Sequence, residues 1–236
     1  MMDLKEQFIT GRGWSLIKNI IPGSLLDDLT HRLIDIYPVR ASSSSKQYAE
    51  KEDIKKLPDV CVWWSQTVKD WPEVLEIEKI LGSVIKSEFT NLDYYSSDIV
   101  VIESGSTWVN PHVDTPHRFN KWNYDNRLLG VQCIIPLGDV NISDGATGVV
   151  SYSQKRDFNI HKCYAGSFDK WFLDNMTQSD LPKGSVLAYN CRVLHSSMPN
   201  TGAAKRPVLT INYLDKDITD EIIAIDNIWT SNGKRP

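Results

Sequence analysis

The chain has 236 residues, of which 41% are hydrophobic and 24% charged, a composition typical of a globular protein with a sizeable core and not of a disordered or fibrous one. The formal net charge of -4 gives no reason to expect nucleic acid or an anionic membrane surface as a partner. No apolar run approaches the roughly 20 residues that span a bilayer, and the charged start at 1–7 lacks the apolar centre of a signal peptide, so a cytoplasmic location is expected.

Two amphipathic helices are predicted in the first third of the chain. The first, in "IIPGSLLDDLTHRLIDIY", begins near Pro22 and Ser24, carries apolar residues at helical spacing and ends before Pro38. The second covers 71–89, with Pro72 in its first turn. Between them, the polar and Ser-rich segment 41–56 is typical of a loop or a frayed helix.

Short β-strands are predicted from residue 98 onwards. They are runs rich in β-branched and aromatic residues, separated by Gly, Pro, Asn and Asp: "DIVVIES", "RLLGVQCIIPL", "TGVVSY", "GSVLAYNCRVLHS" and "PVLTINYL". Strands that follow a helical segment favour a sandwich or jelly roll with helices packed on one face, a mainly β fold of the α+β class. The expected organisation is one domain over 1–236, with a helical part at 1–97, a jelly-roll core at 98–215 and an insertion with some helix at 154–182.

The four cysteines are widely spaced, at Cys61, Cys133, Cys163 and Cys191. They form no C-x-x-C pair, which argues against a zinc knuckle or a redox motif. Cys133 and Cys191 lie inside apolar runs, so they are expected to be small buried hydrophobic residues.

A candidate pair of metal ligands lies in "PHVDTPH" at 111–117. On a strand, His112 and Asp114 point to the same face, about 6.6 Å apart, so both can reach one cation. Pro111 and Pro116 bracket the pair and favour an extended backbone. A short H-x-D also occurs by chance, so the pair alone does not establish a site.

His195 is the best candidate for a third ligand, because it closes the strand-like run "GSVLAYNCRVLH". His31 falls on the first helix, His117 in a loop and His161 in the insertion. Two histidines and one carboxylate on one face of a cation leave three positions open, the arrangement of non-haem Fe(II) oxygenases. A zinc hydrolase can use the same ligand types, so the triad does not fix the reaction.

Arg206 separates these alternatives. It begins the strand "RPVLTINYL", and a hairpin is expected to bring that strand alongside the one that ends at His195. Period-two alternation places Arg206, Val208, Thr210 and Asn212 on one face, which we expect inside the barrel. A buried guanidinium requires a counter-ion, and a dicarboxylate cosubstrate supplies one through a planar, bidentate contact. The other interpretation of Arg206 is a surface residue beside Lys205.

The loop "TPHRFNKWNYDNR" at 115–127 is the candidate substrate contact. Its basic residues outnumber its one acid, Asp125, and aromatic residues are interleaved with them. Such a loop at the barrel mouth suits an anionic or planar substrate group, with His117, Arg118 and Trp122 as the named candidates. A solvated loop whose aromatic residues pack on the sheet is equally consistent with this composition.

Three blocks of the sequence resemble the phytanoyl-CoA dioxygenase family of Fe(II)/2-oxoglutarate oxygenases. They are "HVD" at 112–114, "VQCIIPLGDVNISDGATGVVSYSQK" at 131–155 and "KGSVLAYNCRVLHSSMPNTGAAKRPVLTINY" at 183–213. The third block is the most specific, since its His, Ser, Asn and Arg all match the family pattern. The opening "FITGRGWSLIKNIIPGSLLDDL" is also similar to the family's short strand entering a helix.

The resemblance implies a double-stranded β-helix fold, a cupin-like jelly roll, with His112, Asp114 and His195 as ligands of Fe(II). It implies that Arg206 binds the distal carboxylate of 2-oxoglutarate, assisted by Ser197. Gln132 is a further candidate for the cosubstrate or substrate pocket, although an edge-strand polar residue is nearly as consistent. Related halogenases have a small residue where this chain has Asp114, so the carboxylate favours hydroxylation or desaturation.

The resulting hypothesis is a dioxygenase that consumes O₂ and 2-oxoglutarate, releases succinate and CO₂, and hydroxylates a C–H bond of a small organic substrate. Two other classes stay open. One is a hydroxylase of protein or peptide side chains with the same metal centre, in which segments 41–56 and 154–182 grip a polypeptide. The other is a non-catalytic jelly-roll binding module.

Overall fold

A computed structural model describes residues 3–36, 63–107, 109, 111–114, 116, 127–156 and 166–232. The helices are α1 (Leu4–Ile9), α2 (Gly23–Ile36), α3 (Pro72–Glu88), α4 (Gly166–Asn175) and α5 (Lys216–Asn232). The strands are β1 (Trp14–Ile17), β2 (Trp63–Thr67), β3 (Leu92–Ile102), β4 (Gly130–Pro136), β5 (Thr147–Val150), β6 (Met176–Thr177), β7 (Val186–Asn190), β8 (His195–Ser197) and β9 (Arg206–Asp215). Two single turns of 3₁₀ helix, Ile142–Asp144 and Ser153–Lys155, flank β5.

The strands form two antiparallel sheets. The large sheet has six strands in the order β1-β7-β4-β9-β3-β2, and the small sheet has three in the order β6-β5-β8. Strands that alternate between two facing antiparallel sheets make a jelly roll. The predicted class, mainly β with packed helices around a jelly-roll core, is therefore confirmed.

The large sheet is covered on both faces at β4, where every residue is buried. Val131, Cys133 and Ile135 pack with α1, α2 and α3 in the main hydrophobic core. Ile134 points the other way, into a second cluster between the two sheets that includes Val208 and Leu187. Because side chains alternate along a strand, even-numbered positions of β4 and β9 face the interior between the sheets.

Both helices predicted in the first third are confirmed. The α2 helix buries Leu26, Leu29 and Leu33, which recur at the spacing of one helical face. The α3 helix begins at Pro72, as Pro in the first turn predicts, and contributes Ile77 and three other residues of its apolar face to the same core.

The first 97 residues contribute more strand than the sequence suggests. β1 and β2 form the two edges of the large sheet, and β3 begins at Leu92. The short strand before α2, which the family resemblance implied, is β1. The assignment of the whole chain to a single domain stays a prediction.

The run "GSVLAYNCRVLHS" is not one strand, and this corrects the position of His195 from the end of a strand to the start of one. A turn at 191–194 separates β7 from β8. The Oδ1 atom of Asn190 accepts a hydrogen bond from Arg192 N (2.9 Å), and the backbone carbonyl of Asn190 accepts one from Val193 N (2.7 Å). Asn side chains that bond the backbone two residues on favour turns, so Asn190 ends β7.

The expected hairpin between the strands of His195 and Arg206 is wrong. β8 pairs with β5 in the small sheet, whereas β9 pairs with β3 and β4 in the large one. The connection at 198–205 therefore crosses from one sheet to the other. Its centre is Asn200, a fully buried side chain that donates to Ala204 O (2.9 Å) and accepts from Gly202 N (3.1 Å).

The insertion predicted at 154–182 contains α4 and β6, so the helix expected there is present. The segment 41–56 lies outside the described residues. Cys133 and Cys191 are both buried, as predicted. Within the described residues, no helix is long and apolar enough to cross a membrane.

Candidate metal centre

Backbone hydrogen bonds hold the H-x-D segment against β8. His112 and His195 form an isolated antiparallel bridge, with His112 N donating to His195 O (2.9 Å) and His195 N donating to His112 O (3.0 Å). Asp114 N donates to Cys191 O (2.9 Å) in the turn between β7 and β8. Residues that are at least 77 positions apart in the chain are thereby fixed side by side.

The structure brings His112, Asp114 and His195 together as a three-ligand cluster. One potential ligand atom from each lies within 4.8 Å of the other two. His195 Nε2 is 3.4 Å from Asp114 Oδ2, and His112 Nε2 is 3.9 Å from Asp114 Oδ1. Ligand atoms about 2.1 Å from a common ion lie roughly 3 to 4 Å apart, so this cluster is able to hold a metal ion.

His195 is held as a neutral imidazole with one ring nitrogen directed at the cluster. Its Nδ1 lies 3.0 Å from Val193 O, and because a carbonyl only accepts, the proton is on Nδ1. Burial lowers the pKa of His195 to about 4, although Asp114 acts in the opposite direction. Since metals bind the neutral imidazole, Nε2 can bind a cation near neutral pH without losing a proton.

Tyr189 supports the same cluster, and sequence reasoning missed it. Its hydroxyl donates to Asp114 Oδ2 (3.2 Å), and its ring lies 4.6 Å from the His195 ring between centroids. Burial raises the pKa of Tyr189 well above its usual value, with Asp114 adding to the effect, so the hydroxyl stays a donor. The only sequence signal was period-two alternation in "VLAYN", which gives Tyr189 the same inward face as Leu187.

Arg206 lies inside the barrel, as predicted, and reaches the small sheet. It is 2% exposed, and its Nη2 donates to Ser197 Oγ (2.8 Å). Ser197 is two residues beyond His195 on β8, on the same face of that strand. The chamber between the two sheets therefore contains the His112, Asp114 and His195 cluster and, from β9, a buried guanidinium that bonds a residue two positions beyond His195.

Gln132 also faces this chamber. Its register partners are Tyr189 on β7 and Asn212 on β9. The side chain is 8% exposed, and among the described residues its Oε1 has no hydrogen-bond partner. Gln132 is thus an interior residue of a central strand, which removes the edge-strand alternative.

The candidate substrate residues His117, Arg118 and Trp122 lie outside the described residues. Both interpretations of the loop 115–127, as an anion-binding loop and as a solvated loop with packed aromatic residues, therefore stay predictions. The described part of the site is the chamber between the two sheets together with the cluster of His112, Asp114 and His195.

Solved structures that resemble this chain share its fold. HygX from Streptomyces hygroscopicus, with nickel and 2-oxoglutarate bound, has a TM-score of 0.65 at 12% identity. The aligned region covers 92% of this chain and 88% of the HygX chain. The epimerase SnoN from nogalamycin biosynthesis, described as α-ketoglutarate dependent, has a TM-score of 0.61 at 12% identity, covering 90% and 82%. A Pseudomonas putida prolyl-4-hydroxylase has a TM-score of 0.60 at 12% identity, covering 92% and 100%.

Comparison of the sequence with known families and curated proteins gives one match. No curated protein sequence matches this chain significantly. The family model of phytanoyl-CoA dioxygenase (PhyH) matches residues 13–208, a span that begins just before β1, includes His112, Asp114 and His195 and ends within β9. The chain belongs to the phytanoyl-CoA dioxygenase family.

Proposed function

We propose that the protein is an Fe(II)- and 2-oxoglutarate-dependent dioxygenase that hydroxylates a C–H bond of a small organic substrate. The observation that carries this proposal is the shared chamber of the three-ligand cluster and the buried Arg206. A zinc hydrolase has use for the cluster but no evident use for a buried guanidinium that bonds Ser197, two residues beyond His195. The family match is consistent with the same choice.

His112, Asp114 and His195 would hold Fe(II). Two imidazoles and one carboxylate suit this ion and leave three coordination positions for other ligands. When bound, iron and 2-oxoglutarate supply the oxidising chemistry, which consumes O₂ and yields succinate and CO₂. Asp114 occupies the position that halogenases of the family leave to a halide, which favours hydroxylation or desaturation.

Arg206 would bind the distal carboxylate of 2-oxoglutarate. Its planar guanidinium matches a carboxylate in a bidentate contact, and the Ser197 hydroxyl, 2.8 Å from Nη2, is close enough to the same position to add a donor. A buried arginine is stabilised by such a counter-ion. Gln132 is a third candidate for contact with the bound molecules.

The protein's own contribution is orientation and exclusion of water. Tyr189 and the Val193 carbonyl fix Asp114 and His195, and the apolar cluster between the sheets closes the chamber behind them. An anionic substrate is expected only from the basic residues of loop 115–127, so the substrate's charge stays a prediction.

The deciding experiment is an anaerobic titration with Fe(II) and 2-oxoglutarate, followed by visible absorption. We expect a metal-to-ligand charge-transfer band in the wild type, its loss in His112→Ala, and at least about a tenfold rise in the 2-oxoglutarate Kd in Arg206→Ala, because a charge-assisted contact is removed. Absence of the band in the wild type would contradict the enzyme assignment and favour a binding module. An unchanged Kd in Arg206→Ala would contradict the cosubstrate assignment alone.

The reaction type needs a product measurement once a substrate is found. Hydroxylation adds one oxygen atom to the substrate, desaturation removes two hydrogen atoms and epimerisation leaves the mass unchanged. Mass spectrometry of the product, together with the succinate formed per product, separates the three outcomes.

A further inference from the structure

Four polar side chains form a continuous patch on the inner face of the large sheet, which we call the polar floor. Gln132 on β4 is opposite Asn212 on β9, and Asn212 is opposite Ser96 on β3. Asp98 lies two residues further along β3, and therefore on the same face. Residues paired across strands on one face have neighbouring side chains, so the four form one surface.

The polar floor begins next to the metal-ligand cluster and lies far from Arg206. Gln132 is the register partner of Tyr189, whose hydroxyl contacts Asp114. Asn212 is six residues from Arg206 on β9, a separation of about 20 Å along an extended strand. The cosubstrate proposed to bind Arg206 therefore occupies one end of the chamber and the polar floor lines the other.

The inner face of the large sheet changes from apolar near Arg206 to polar near Asn212. The row of the large sheet next to Arg206 consists of Val208 and its register partners Val100 and Pro136. The row of Asn212 consists of polar partners across β4, β9 and β3. An apolar lining beside the guanidinium and a polar lining beyond it divide the chamber into two subsites of different character.

The hydrogen bonds of the polar floor leave mainly acceptors for a ligand. Asn212 Nδ2 donates to Ser96 Oγ (3.1 Å), which orients the amide so that its Oδ1 points away from that bond. Asp98 Oδ1 accepts from Thr67 Oγ1 (2.7 Å), and the rest of its carboxylate can accept further bonds. Gln132 Oε1 is buried and has no partner among the described residues, and an amide oxygen in that state is costly until a donor reaches it.

We infer that the polar floor is the substrate subsite, and that the substrate presents hydroxyl or amino groups to it. This inference rests on the proposed function, since it takes the Arg206 end for the cosubstrate. An alkyl or fatty acyl chain is excluded because it would cover Gln132, Asn212 and Asp98 without supplying a donor. Sites built to bond a hydroxyl or amine reject analogues that lack the group far more strongly than apolar pockets discriminate by size.

The test measures binding to the protein loaded with Ni(II) and 2-oxoglutarate, which does not turn over. The probes are straight-chain carboxylates, polyols and amino polyols matched in carbon number, and binding is followed by calorimetry and by thermal shift. We expect the polyols or amino polyols to bind and the matched carboxylates to bind at least about tenfold more weakly. A preference for amino polyols would identify Asp98 as a charge partner, whereas equal binding would identify neutral hydrogen bonding.

Gln132→Leu tests the role of the orphaned amide, with Gln66→Leu as its matched control. Gln66 is the register partner of Ile99, a residue of the core on the other face of the same sheet. Gln132→Leu should weaken donor-bearing probes by about tenfold, the value of one hydrogen bond to a buried group, and should lower the affinity for these probes more than the affinity for 2-oxoglutarate. Gln66→Leu should alter neither.

Three results would overturn the inference. They are tighter binding of the straight-chain carboxylates, no binding by any donor-bearing probe, or a Gln132→Leu variant that loses 2-oxoglutarate and not the probe. Affinity for Ni(II) and 2-oxoglutarate without any probe reports on the proposed function separately, so failure of the two proposals can be distinguished.

Discussion

The Tyr189 hydroxyl donates a hydrogen bond to the Asp114 carboxylate of the cluster, at 3.2 Å. Groups that hydrogen-bond a metal ligand orient it, and their loss typically weakens metal binding by about 10- to 100-fold. Tyr189→Phe keeps the ring against His195 and removes only the hydroxyl. We therefore expect about a tenfold rise in the Ni(II) Kd, measured by competition with a chelator.

Tyr94→Phe is the control for this variant, because it also removes a hydrogen-bonded tyrosine hydroxyl, 2.7 Å from Ser97 Oγ, on a strand of the same sheet. It should leave the Ni(II) Kd unchanged. Equal metal affinity in Tyr189→Phe and wild type would show that Asp114 is positioned by its backbone alone.

Ser197 tests the cosubstrate end of the chamber with a smaller change than Arg206. Ser197→Ala removes the hydroxyl that accepts from Arg206 Nη2, and a net hydrogen bond contributes about 1 kcal/mol. The expected result is about a fivefold rise in the 2-oxoglutarate Kd at an unchanged Ni(II) Kd. Calorimetry on the Ni(II)-loaded protein checks it, and an equal loss of both ligands would point to a general disturbance of β8.

At this scale the sequence predicted residue types well and their partners poorly. H-x-D and a distant His were enough to propose the cluster, because few residue types bind iron and the alternation of strands limits which can meet. Tyr189 escaped detection because a tyrosine in an apolar strand is equally consistent with plain core packing. The same holds for Gln132, whose buried and unpartnered oxygen becomes visible only when its neighbours are placed.

The connection between β8 and β9 is the element on which the geometry of Arg206 depends. Its Asn200 side chain is fully buried and bonds Ala204 O and Gly202 N. Asn200→Ala leaves these groups without their partner, at a cost of about 1–3 kcal/mol in the free energy of unfolding. Because Ala204 lies two residues before Arg206, we also expect the 2-oxoglutarate Kd to rise more than the Ni(II) Kd.

Denaturant unfolding and calorimetry measure the two effects. Thr201→Ala is the adjacent control, since Thr201 is exposed and surface substitutions change stability by about 0.5 kcal/mol or less. A destabilised Asn200→Ala variant with normal 2-oxoglutarate affinity would show that β9 holds Arg206 without help from this connection.

Element positions followed from the sequence more closely than element partners. Apolar periodicity and Pro72 placed α2 and α3 almost to the residue, and β9 was recognised from its β-branched run. The pairing of β8 with β5 instead of β9 was missed, because a loop of eight residues is compatible with either a hairpin or a crossing between sheets. The turn at Asn190 was missed for a related reason, since apolar residues continue on both sides of it.

Across the whole molecule, the metal-ligand cluster joins parts of the chain that are distant in sequence. His112 and Asp114 follow β3 of the large sheet, whereas His195 begins β8 of the small sheet. A ligand that binds only the folded protein stabilises it by about 2.7 kcal/mol when present at one hundred times its Kd. A metal bound here would act in this way, since the unfolded chain does not bring the three residues together.

Metal binding should therefore raise the melting temperature of the entire protein. With Ni(II) at one hundred times its Kd, we expect an increase of about 5–10 °C for a chain of this size, and a further increase with 2-oxoglutarate. His112→Ala should lose most of the Ni(II)-dependent increase. His31→Ala is the matched control, because His31 is exposed on α2 and should keep the whole of it. Equal increases in the two variants would mean that the stabilising ion binds elsewhere and that the cluster is not the metal site.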